Sequence, residues 1–259
     1  MSADSRFVEL TESWGMPMPA VQQDMVYRRY QFFAEVAAGG DVIEVGSGQA
    51  LGNGELIARC ESVVSCDLEY ENVRLAQANT GGSFLASDAI RLPFRDASFD
   101  AAAACEMIYY VADQPAMLAE IKRVLRPGGR VFVACANPER PSFHHSPHST
   151  HYPSAQELRK LLSSVGFDPE IYGVFPLDQS FRGRALRLVA GVATKFHLVP
   201  KTLAGRGLLK KIFFGELTPY RGLDEARARS AAIRDPQLLQ DGRGCRGFRV
   251  LYAVGRLGE

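Results

Sequence analysis

The feature that most constrains the fold is a short apolar run that breaks into two closely spaced glycines. Residues 41–45 read DVIEV, and Gly46-Ser47-Gly48 follow at once. A run of this length and composition is typical of a strand buried on both faces. Glycine at both positions lets the backbone turn sharply and lets a ligand approach the main chain without meeting a Cβ. The sequence therefore predicts a buried strand that ends in a ligand-binding loop.

Helices and strands alternate after this loop. The apolar patterns predict helices at 21–36, 53–60 and 70–79 and strands at 63–67, 83–86, 99–105, 130–135, 167–175 and 248–254. Asp113 with Pro115, and Ser154 with Glu157, mark the starts of two further helices. This alternation predicts an α/β fold with a largely parallel sheet.

The composition fits one globular α/β domain. The 259 residues are 46% hydrophobic and 23% charged, enough to bury a full core. The N-terminus lacks the pattern of a signal peptide, and no apolar stretch nears the ~18 residues of a membrane span, so we expect a cytoplasmic protein. Five cysteines without a CxxC pair predict reduced, buried thiols, with neither a disulfide framework nor a metal site.

The positive charge is concentrated in one segment. Residues 179–215 contain eight Lys or Arg and no Asp or Glu, although the net charge of the chain is only +1. The remainder is therefore acidic, which argues against a uniformly basic nucleic-acid-binding protein. The segment would suit an anionic or lipid-linked small-molecule acceptor, peripheral contact with an anionic membrane, or simply a solvated helical face.

Two ligands compete for the glycine loop. A dinucleotide requires the spacing GxGxxG, but Leu51 occupies the sixth position of this loop. S-adenosylmethionine (SAM) has no pyrophosphate and needs only the close backbone approach that Gly46 and Gly48 allow. Asp67 ends the next strand 19 residues past Gly48, where a carboxylate can accept hydrogen bonds from ribose hydroxyls. Asp88, after the third strand, is a candidate for the adenine edge.

Four segments, taken together, resemble a known family. VIEVGSGQALGNGELIAR, VVSCDLEYENVRLAQ, ASDAIRLPFRDASFDAAAACEMIYYVAD and LRPGGRVFVACANP are similar, in order and spacing, to the motifs of class I SAM-dependent methyltransferases of the type 11 domain group. The resemblance covers about residues 40–176. It implies a Rossmann-like seven-stranded mixed sheet of order 3-2-1-4-5-7-6, with helices on both faces and an antiparallel last strand.

The resemblance also implies a set of cofactor-binding residues. Glu44, Gly46, Ser47 and Gly48 would meet the amino-acid part of SAM, and Asp67 would hold the ribose. The adenine would lie against Leu68, Asp88 and Ala89, and the methionine side would be lined by Cys105 and Glu106. After methyl transfer the same residues would hold S-adenosylhomocysteine (SAH).

The chain departs from the family pattern where a catalytic base is expected. Many relatives have a Glu-His pair after the fourth strand, whereas this chain has Tyr109-Tyr110. Four histidines instead fall at 144, 145, 148 and 151, in a loop expected to overhang the acceptor. We expect His148 or His145 to act as the base, with Tyr110 orienting the acceptor, because histidine titrates near neutral pH. Each histidine is also compatible with a solvated loop residue.

The sequence thus predicts a SAM-dependent methyltransferase that methylates a hydroxyl of a small molecule, a sugar or a secondary metabolite. A C- or N-methyltransferase, a non-catalytic SAM-binding or partner-binding module, and a dehydrogenase are the alternatives. The residues after the fourth strand lack the Asn/Asp-Pro-Pro-aromatic tetrad of nucleic-acid amino-methyltransferases. We expect an N-terminal helical lid at 1–38, a SAM-binding core at 39–176, a basic helical insertion between strands six and seven at 177–246, and a last core strand at 247–259.

Overall fold

The fold is known from a computed structural model, which describes residues 12–141, 143–177, 217–232, 234–240 and 245–258. Elements are numbered along these residues. The strands are β1 Pro17–Pro19, β2 Asp41–Val45, β3 Ser62–Asp67, β4 Ser83–Ala86, β5 Phe99–Cys105, β6 Leu125–Ala136, β7 Asp168–Pro176, β8 Leu217–Pro219, β9 Gln237–Leu238 and β10 Phe248–Arg256. The helices are α1 Ala20–Ala37, α2 Asn53–Ile57, α3 Tyr70–Asn79, α4 Gln114–Val124, α5 Ala155–Ser164 and α6 Asp224–Ala228.

The central sheet has the strand order β4-β3-β2-β5-β6-β10-β7-β9. Strands β4, β3, β2, β5 and β6 are parallel, and β10 runs antiparallel to both β6 and β7. The first seven strands reproduce the expected order 3-2-1-4-5-7-6. The eighth, β9, is an unpredicted edge strand that pairs Leu238 with Tyr172. Two residues are too few to leave a periodic pattern in the sequence.

Helices cover both faces of this sheet, as predicted. One apolar core joins α4 and α5 to the sheet, and the other joins α1, α2 and α6 to the opposite face. Residues 101–104 of β5, all alanine, are fully buried between these layers. Small side chains in the central strand let helices pack closely on both sides, and the carboxyl ends of β2, β3 and β5 meet at one edge of the sheet.

Local signals fixed several element boundaries. The capping box is formed at the start of α5, where the Ser154 amide donates to Glu157 Oε2 at 2.7 Å and the Ser154 side chain accepts from the Glu157 amide. Asp113 caps α4 by accepting from the Ala116 amide at 2.9 Å. Helix α2 is shorter than expected and ends at Ile57. Residues 126–129 form a bulge in β6, because the pairing with β5 passes from Leu125 directly to Arg130.

The region between β7 and β10 is only partly described. The basic block at 179–215, and with it the expected helical character and any membrane contact, lies outside the described residues. Its C-terminal flank contains β8, α6 and β9, so two short strands accompany the helix there. Strand β8 pairs antiparallel with β1 and ties this flank to the N-terminal segment. Within the described residues, no helix is both long and apolar enough to span a membrane.

Candidate functional site

The glycine loop lies at the carboxyl end of β2. The amides of Gly46 and Ser47 both donate to the Cys66 carbonyl of β3, at 2.8 and 2.9 Å. Gly46, Gly48 and Ala50 have φ values of +70°, +55° and +51°. Left-handed backbone favours glycine, and a Cβ on Gly46 would approach the Met107 side chain to 2.7 Å. Glycine at position 46 therefore allows both the left-handed turn and the close packing of Met107 against the loop.

Asp67 connects this loop to β3. Its Oδ2 accepts from the Gly48 amide at 2.8 Å, and its Oδ1 accepts from the Glu69 amide at 3.0 Å and the Asn72 side chain at 3.1 Å. These bonds hold the carboxylate at the mouth of a cavity of about 340 Å³, within the size range of small-molecule sites. Asp67 is therefore oriented by the protein before any ligand arrives.

The predicted adenine-side residues lie together in this cavity, which we call the nucleoside cavity. Leu68, Asp88 and Ala89 line it beside Asp67 and Gly48. Leu68 is 60% exposed and the neighbouring Ile90 is 44% exposed, a high degree of exposure for large apolar side chains. When a flat ring covers such apolar surfaces, it removes them from water, which lowers the free energy. The nucleoside cavity thus offers a carboxylate at one end and apolar surfaces beside it.

A second cavity of about 330 Å³ adjoins the first, and we call it the acceptor cavity. The two share the residues Gly46, Gly48, Glu106 and Tyr110 as a common wall. Ser47 and Cys105 line only the acceptor cavity. Cys105 is nearly buried, and this burial raises the pKa of its thiol well above the usual value. It therefore stays a neutral wall residue rather than a nucleophile.

Glu44 is the one predicted cofactor residue that lines neither of these cavities. It is fully buried behind the loop, where the Tyr30 hydroxyl donates to its Oε1 at 2.6 Å. Its Oε2 has no hydrogen-bond partner, and burial raises the pKa of this carboxyl to about 7. The expected direct contact with SAM is thus not supported, because the side chain points into the protein. Glu44 supports the loop from behind.

Glu106 lies at the junction of the two cavities, directly after β5. The Tyr109 hydroxyl donates to its Oε2 at 2.9 Å, and Arg29 Nη1 lies 3.9 Å from its Oε1. Burial raises the pKa of the Glu106 carboxyl to about 7, against the lowering effect of Arg29 and the Tyr109 hydrogen bond. Glu106 adopts φ +53°, a left-handed conformation that is unfavourable for a side chain larger than glycine.

The two predicted base candidates are placed differently. His145 lines the acceptor cavity, with its ring edge-on to Tyr152 at 5.3 Å and to Phe143 at 5.2 Å. His148 lines neither cavity, so the expectation that it reaches an acceptor is not supported. Tyr110 lines both cavities, as its expected orienting role requires. The histidine loop is held down by the Thr150 amide, which donates to the Tyr109 carbonyl at 2.7 Å.

Trp14 of the N-terminal segment and Tyr220, which lies between β8 and α6, both contact the glycine loop. The Trp14 ring nitrogen donates to the Gln49 carbonyl at 3.0 Å, and its amide donates to Gln49 Oε1 at 3.1 Å. Trp14 packs edge-on against Tyr220 at 5.0 Å. The Tyr220 hydroxyl in turn donates to the Leu51 carbonyl at 2.5 Å. Two segments distant in sequence thus contact consecutive parts of the same loop.

Sequence reasoning missed Arg29 and Glu12, which also line the acceptor cavity. Arg29 Nη2 and Glu12 Oε2 are 2.7 Å apart, and the Arg29 side chain is only 6% exposed. One signal for Arg29 was present, because it lies four residues after Met25 and four before Phe33 on the apolar stripe of α1. A cation in the middle of an apolar stripe needs a partner inside the protein. Glu12 left no comparable signal.

Comparisons with known proteins agree with this geometry. A family model described as a methyltransferase domain matches residues 43–133. A demethylmenaquinone methyltransferase of Beutenbergia cavernae is 33% identical over 178 residues, covering 67% of this chain and 71% of the relative. An O-methyltransferase of Aspergillus nomiae, rstn1, is 40% identical over 108 residues, covering 38% of this chain and 46% of the relative. The chain spans about half the length of the curated relatives that it first matches, between 46 and 56%.

Solved structures give the same fold. A SAM-dependent methyltransferase from Thermotoga maritima superimposes with a TM-score of 0.56 at 17% identity, covering 91% of this chain and 93% of that one. At this identity the likeness concerns the fold alone. The relative covered over 71% of its length, together with the family model, shows that the chain belongs to the class I SAM-dependent methyltransferases.

Proposed function

We propose that this protein transfers a methyl group from SAM to a hydroxyl of a small-molecule acceptor. The observation that carries the proposal is the common wall between the two cavities. A nucleoside bound beside Asp67 and an acceptor bound beside His145 would meet at Gly46, Gly48, Glu106 and Tyr110. Two ligands that share this wall can be brought into the in-line arrangement that methyl transfer requires.

The residues present fit SAM. Gly46 and Gly48 line both cavities, and Asp67 presents a carboxylate that the protein has already oriented. In the proposal, Gly46, Ser47, Gly48 and Arg29 lie against the amino-acid end, Asp67 holds the ribose, and Leu68, Asp88 and Ala89 surround the adenine. Bound SAM supplies an electrophilic methyl group on a positively charged sulfur.

The protein's own contribution is to position the acceptor and exclude water. Tyr110 and His145 both line the acceptor cavity, and Tyr109 and Tyr152, which also line it, are stacked with ring centroids 4.1 Å apart. Holding two reactants in a productive geometry can supply ~7 to 11 kcal/mol of the barrier. No covalent intermediate with the protein is needed.

The relative named as an O-methyltransferase supports a hydroxyl acceptor, and the relative whose name gives demethylmenaquinone as its acceptor keeps a carbon acceptor as the second candidate. A sugar, a secondary metabolite or an anionic or lipid-linked compound remains part of this proposal. The domain division is likewise proposed: a lid at 1–38, a core at 39–176, an acceptor cap at 177–246 and a last strand at 247–259.

The test combines binding and transfer on the purified full chain. Calorimetry with SAH should show binding, and radiolabelled SAM should transfer its methyl group to 7-hydroxy-4-methylcoumarin or methyl glucoside rather than to benzylamine or 1-naphthol ring carbons. If the methyl group is transferred only to nitrogen or only to carbon, the protein is an N- or C-methyltransferase and the hydroxyl proposal is wrong. SAH binding without transfer to any of these probes or to a cell extract would indicate a binding module.

A further inference from the structure

The carboxylate of Glu106 has a position that cofactor binding alone does not require. It lines both the nucleoside cavity and the acceptor cavity, in the wall where the two ligands would meet. By contrast, His148 lines neither cavity, and His145 lines only the acceptor cavity. Glu106 is therefore the acidic side chain, among the described residues, that borders both ligands at once.

Glu106 is held in this position in an unfavourable backbone conformation. Its φ of +53° is a conformation that non-glycine residues rarely adopt, and its amide donates to the Ala134 carbonyl of β6 at 2.7 Å. Strained backbone of this kind persists where the surrounding structure fixes it, and it is frequent at active sites. The Tyr109 hydroxyl fixes one carboxylate oxygen from the turn that follows β5.

We propose that the Glu106 carboxylate is the general base that accepts the proton of a hydroxyl acceptor during methyl transfer. The inference rests on the proposed function. It assigns the proton of the acceptor hydroxyl to a carboxylate rather than to a histidine of the loop. As the acceptor oxygen bonds to the methyl carbon, the carbon–sulfur bond breaks and its electron pair stays on sulfur. The acceptor proton moves to Glu106, so the products are a methyl ether, a neutral thioether and a protonated carboxyl.

The surroundings of Glu106 suit a group that titrates near neutral pH. Burial raises its pKa to about 7, and a base works best when its pKa lies near the working pH. The charged groups that influence Glu106 are Arg29 of α1, Glu12 of the N-terminal segment and Arg140 after β6. The neutral groups around it are Cys105, Tyr109, Cys135, Tyr152 and Tyr252, and burial raises the pKa of each.

Two other groups compete for this assignment. Glu44 also has its pKa raised to about 7, but it is enclosed behind the loop and lines neither cavity. His145 lines the acceptor cavity and is the base expected from the sequence. The variants Glu44→Gln and His145→Gln are therefore the matched controls for Glu106→Gln.

A titration that needs no acceptor tests the acid–base property directly. Carbon-13 spectra of the protein labelled at glutamate carboxyls should show two carboxyls that titrate near pH 7. One should disappear in Glu106→Gln and the other in Glu44→Gln. Tyr109→Phe keeps the ring stack but removes a hydrogen bond to the ionised form, so it should move the Glu106 midpoint to higher pH. A Glu106 carboxyl that titrates only at the pH of an exposed glutamate overturns the proposal.

Kinetics with an accepted hydroxyl probe complete the test. Wild-type kcat/KM should rise with pH up to about 7, and Glu106→Gln should lower kcat by roughly 100-fold to 10,000-fold and abolish that rise. The loss should be smaller for 4-nitrophenol than for methyl glucoside, because a more acidic hydroxyl needs less help. SAH affinity, measured by calorimetry, should fall far less than kcat.

Two results contradict the inference while leaving the proposed function intact. If SAH affinity falls as far as kcat, Glu106 binds cofactor only. If the rise with pH persists in Glu106→Gln and vanishes in His145→Gln, the histidine is the base. A wild-type protein that methylates no probe instead contradicts the proposed function itself, and the carboxyl titration still reports on Glu106.

Discussion

Two glycines shape the loop for different physical reasons. Gly46 is needed for its positive φ and for the nearby Met107 side chain. Gly52 has an ordinary φ, but a Cβ there would lie 1.8 Å from the ring of Tyr30, which is buried and bonded to Glu44. Gly52 therefore lets α1 and the start of α2 approach each other, whereas Gly46 allows the left-handed turn and the close packing of Met107.

The first prediction concerns Gly46→Ala. A left-handed alanine costs ~1 to 2 kcal/mol, and forcing extra volume against Met107 adds to that, so we expect unfolding in urea to show a loss of at least about 1 kcal/mol. SAH affinity should fall as well. Gly54→Ala is the matched control, because its Cβ meets nothing within 4 Å and it lies in α2. It should leave stability unchanged or raise it by about 0.5 to 1 kcal/mol. Equal losses in both variants would contradict the argument.

Sequence reasoning could place an individual residue where its position follows from a local signal. Asp67 was found because its position at a strand end sets where a carboxylate can reach, and the structure brings it to the Gly48 amide. Arg29 and Glu12 were missed because their pairing joins two segments whose approach depends on tertiary packing. Glu44 was assigned to the cofactor, yet the direction of its side chain depends on Tyr30 from α1.

At the scale of elements, a buried carboxylate of α2 binds an arginine of α6. Glu55 of α2 is 1% exposed, and its Oε1 accepts hydrogen bonds from Arg227 of α6. Arg59 lies 3.4 Å from its other oxygen. Because α2 follows the glycine loop directly, this contact couples the end of the insertion to the loop, in parallel with Trp14 and Tyr220.

The second prediction is that Arg227→Ala destabilises the fold by about 1 to 2 kcal/mol. The Glu55 carboxylate would stay buried with Arg59 as its remaining cation, and an incompletely paired buried charge is unfavourable. Chemical denaturation gives the value. Arg74→Ala removes an exposed pair with Glu71 on α3 and should produce no measurable change. If the two variants behave alike, the Arg227 contact is a surface pair of no consequence.

Elements with strong local signals were predicted close to their observed bounds. The capping box at Ser154 begins α5, and the apolar runs gave β2, β4 and β5 without error. Strand β9 and the pairing of β1 with β8 were not predicted, because strands of two or three residues carry no period and are formed by their neighbours. The length of α2 was overestimated because an apolar pattern does not specify where a helix frays.

At the scale of the whole molecule, the buried carboxyl of Glu44 and the partly buried carboxyl of Glu106 make stability depend on pH. In the folded protein the carboxyls of Glu44 and Glu106 have pKa values of about 7, above their usual 4.5. Below pH 4.5 both folded and unfolded chains hold these protons. Between pH 4.5 and 7 the unfolded chain releases them while the folded chain keeps them, so rising pH favours unfolding.

The third prediction is that the free energy of unfolding falls as pH rises from about 5 to 7. A shift of this size corresponds to a loss on the order of 3 kcal/mol for one carboxyl. Glu44→Gln keeps an oxygen for the Tyr30 hydroxyl and should make the decline shallower. Glu71→Gln is the control, because the pKa of that exposed carboxyl is lowered and its effect lies at more acidic pH. A decline that is identical in all three proteins would refute the assignment to Glu44.

The overall architecture followed from the order of strands and helices, and the family resemblance supplied the sheet order. What the sequence did not supply is how distant segments converge on the loop. The pairing of Trp14 with Tyr220 joins positions more than two hundred residues apart, and no local pattern encodes such a meeting.

The contact between Trp14 and Tyr220 places an intrinsic fluorophore beside the glycine loop. Trp14 is the single tryptophan of the chain, and its indole nitrogen donates directly to the carbonyl of Gln49 in the loop. Indole emission changes with the polarity and hydrogen bonding around the ring, so selective excitation of tryptophan reports on this one location. Titration with unlabelled nucleoside can therefore be followed in real time by intrinsic fluorescence, without attaching a dye or altering a residue.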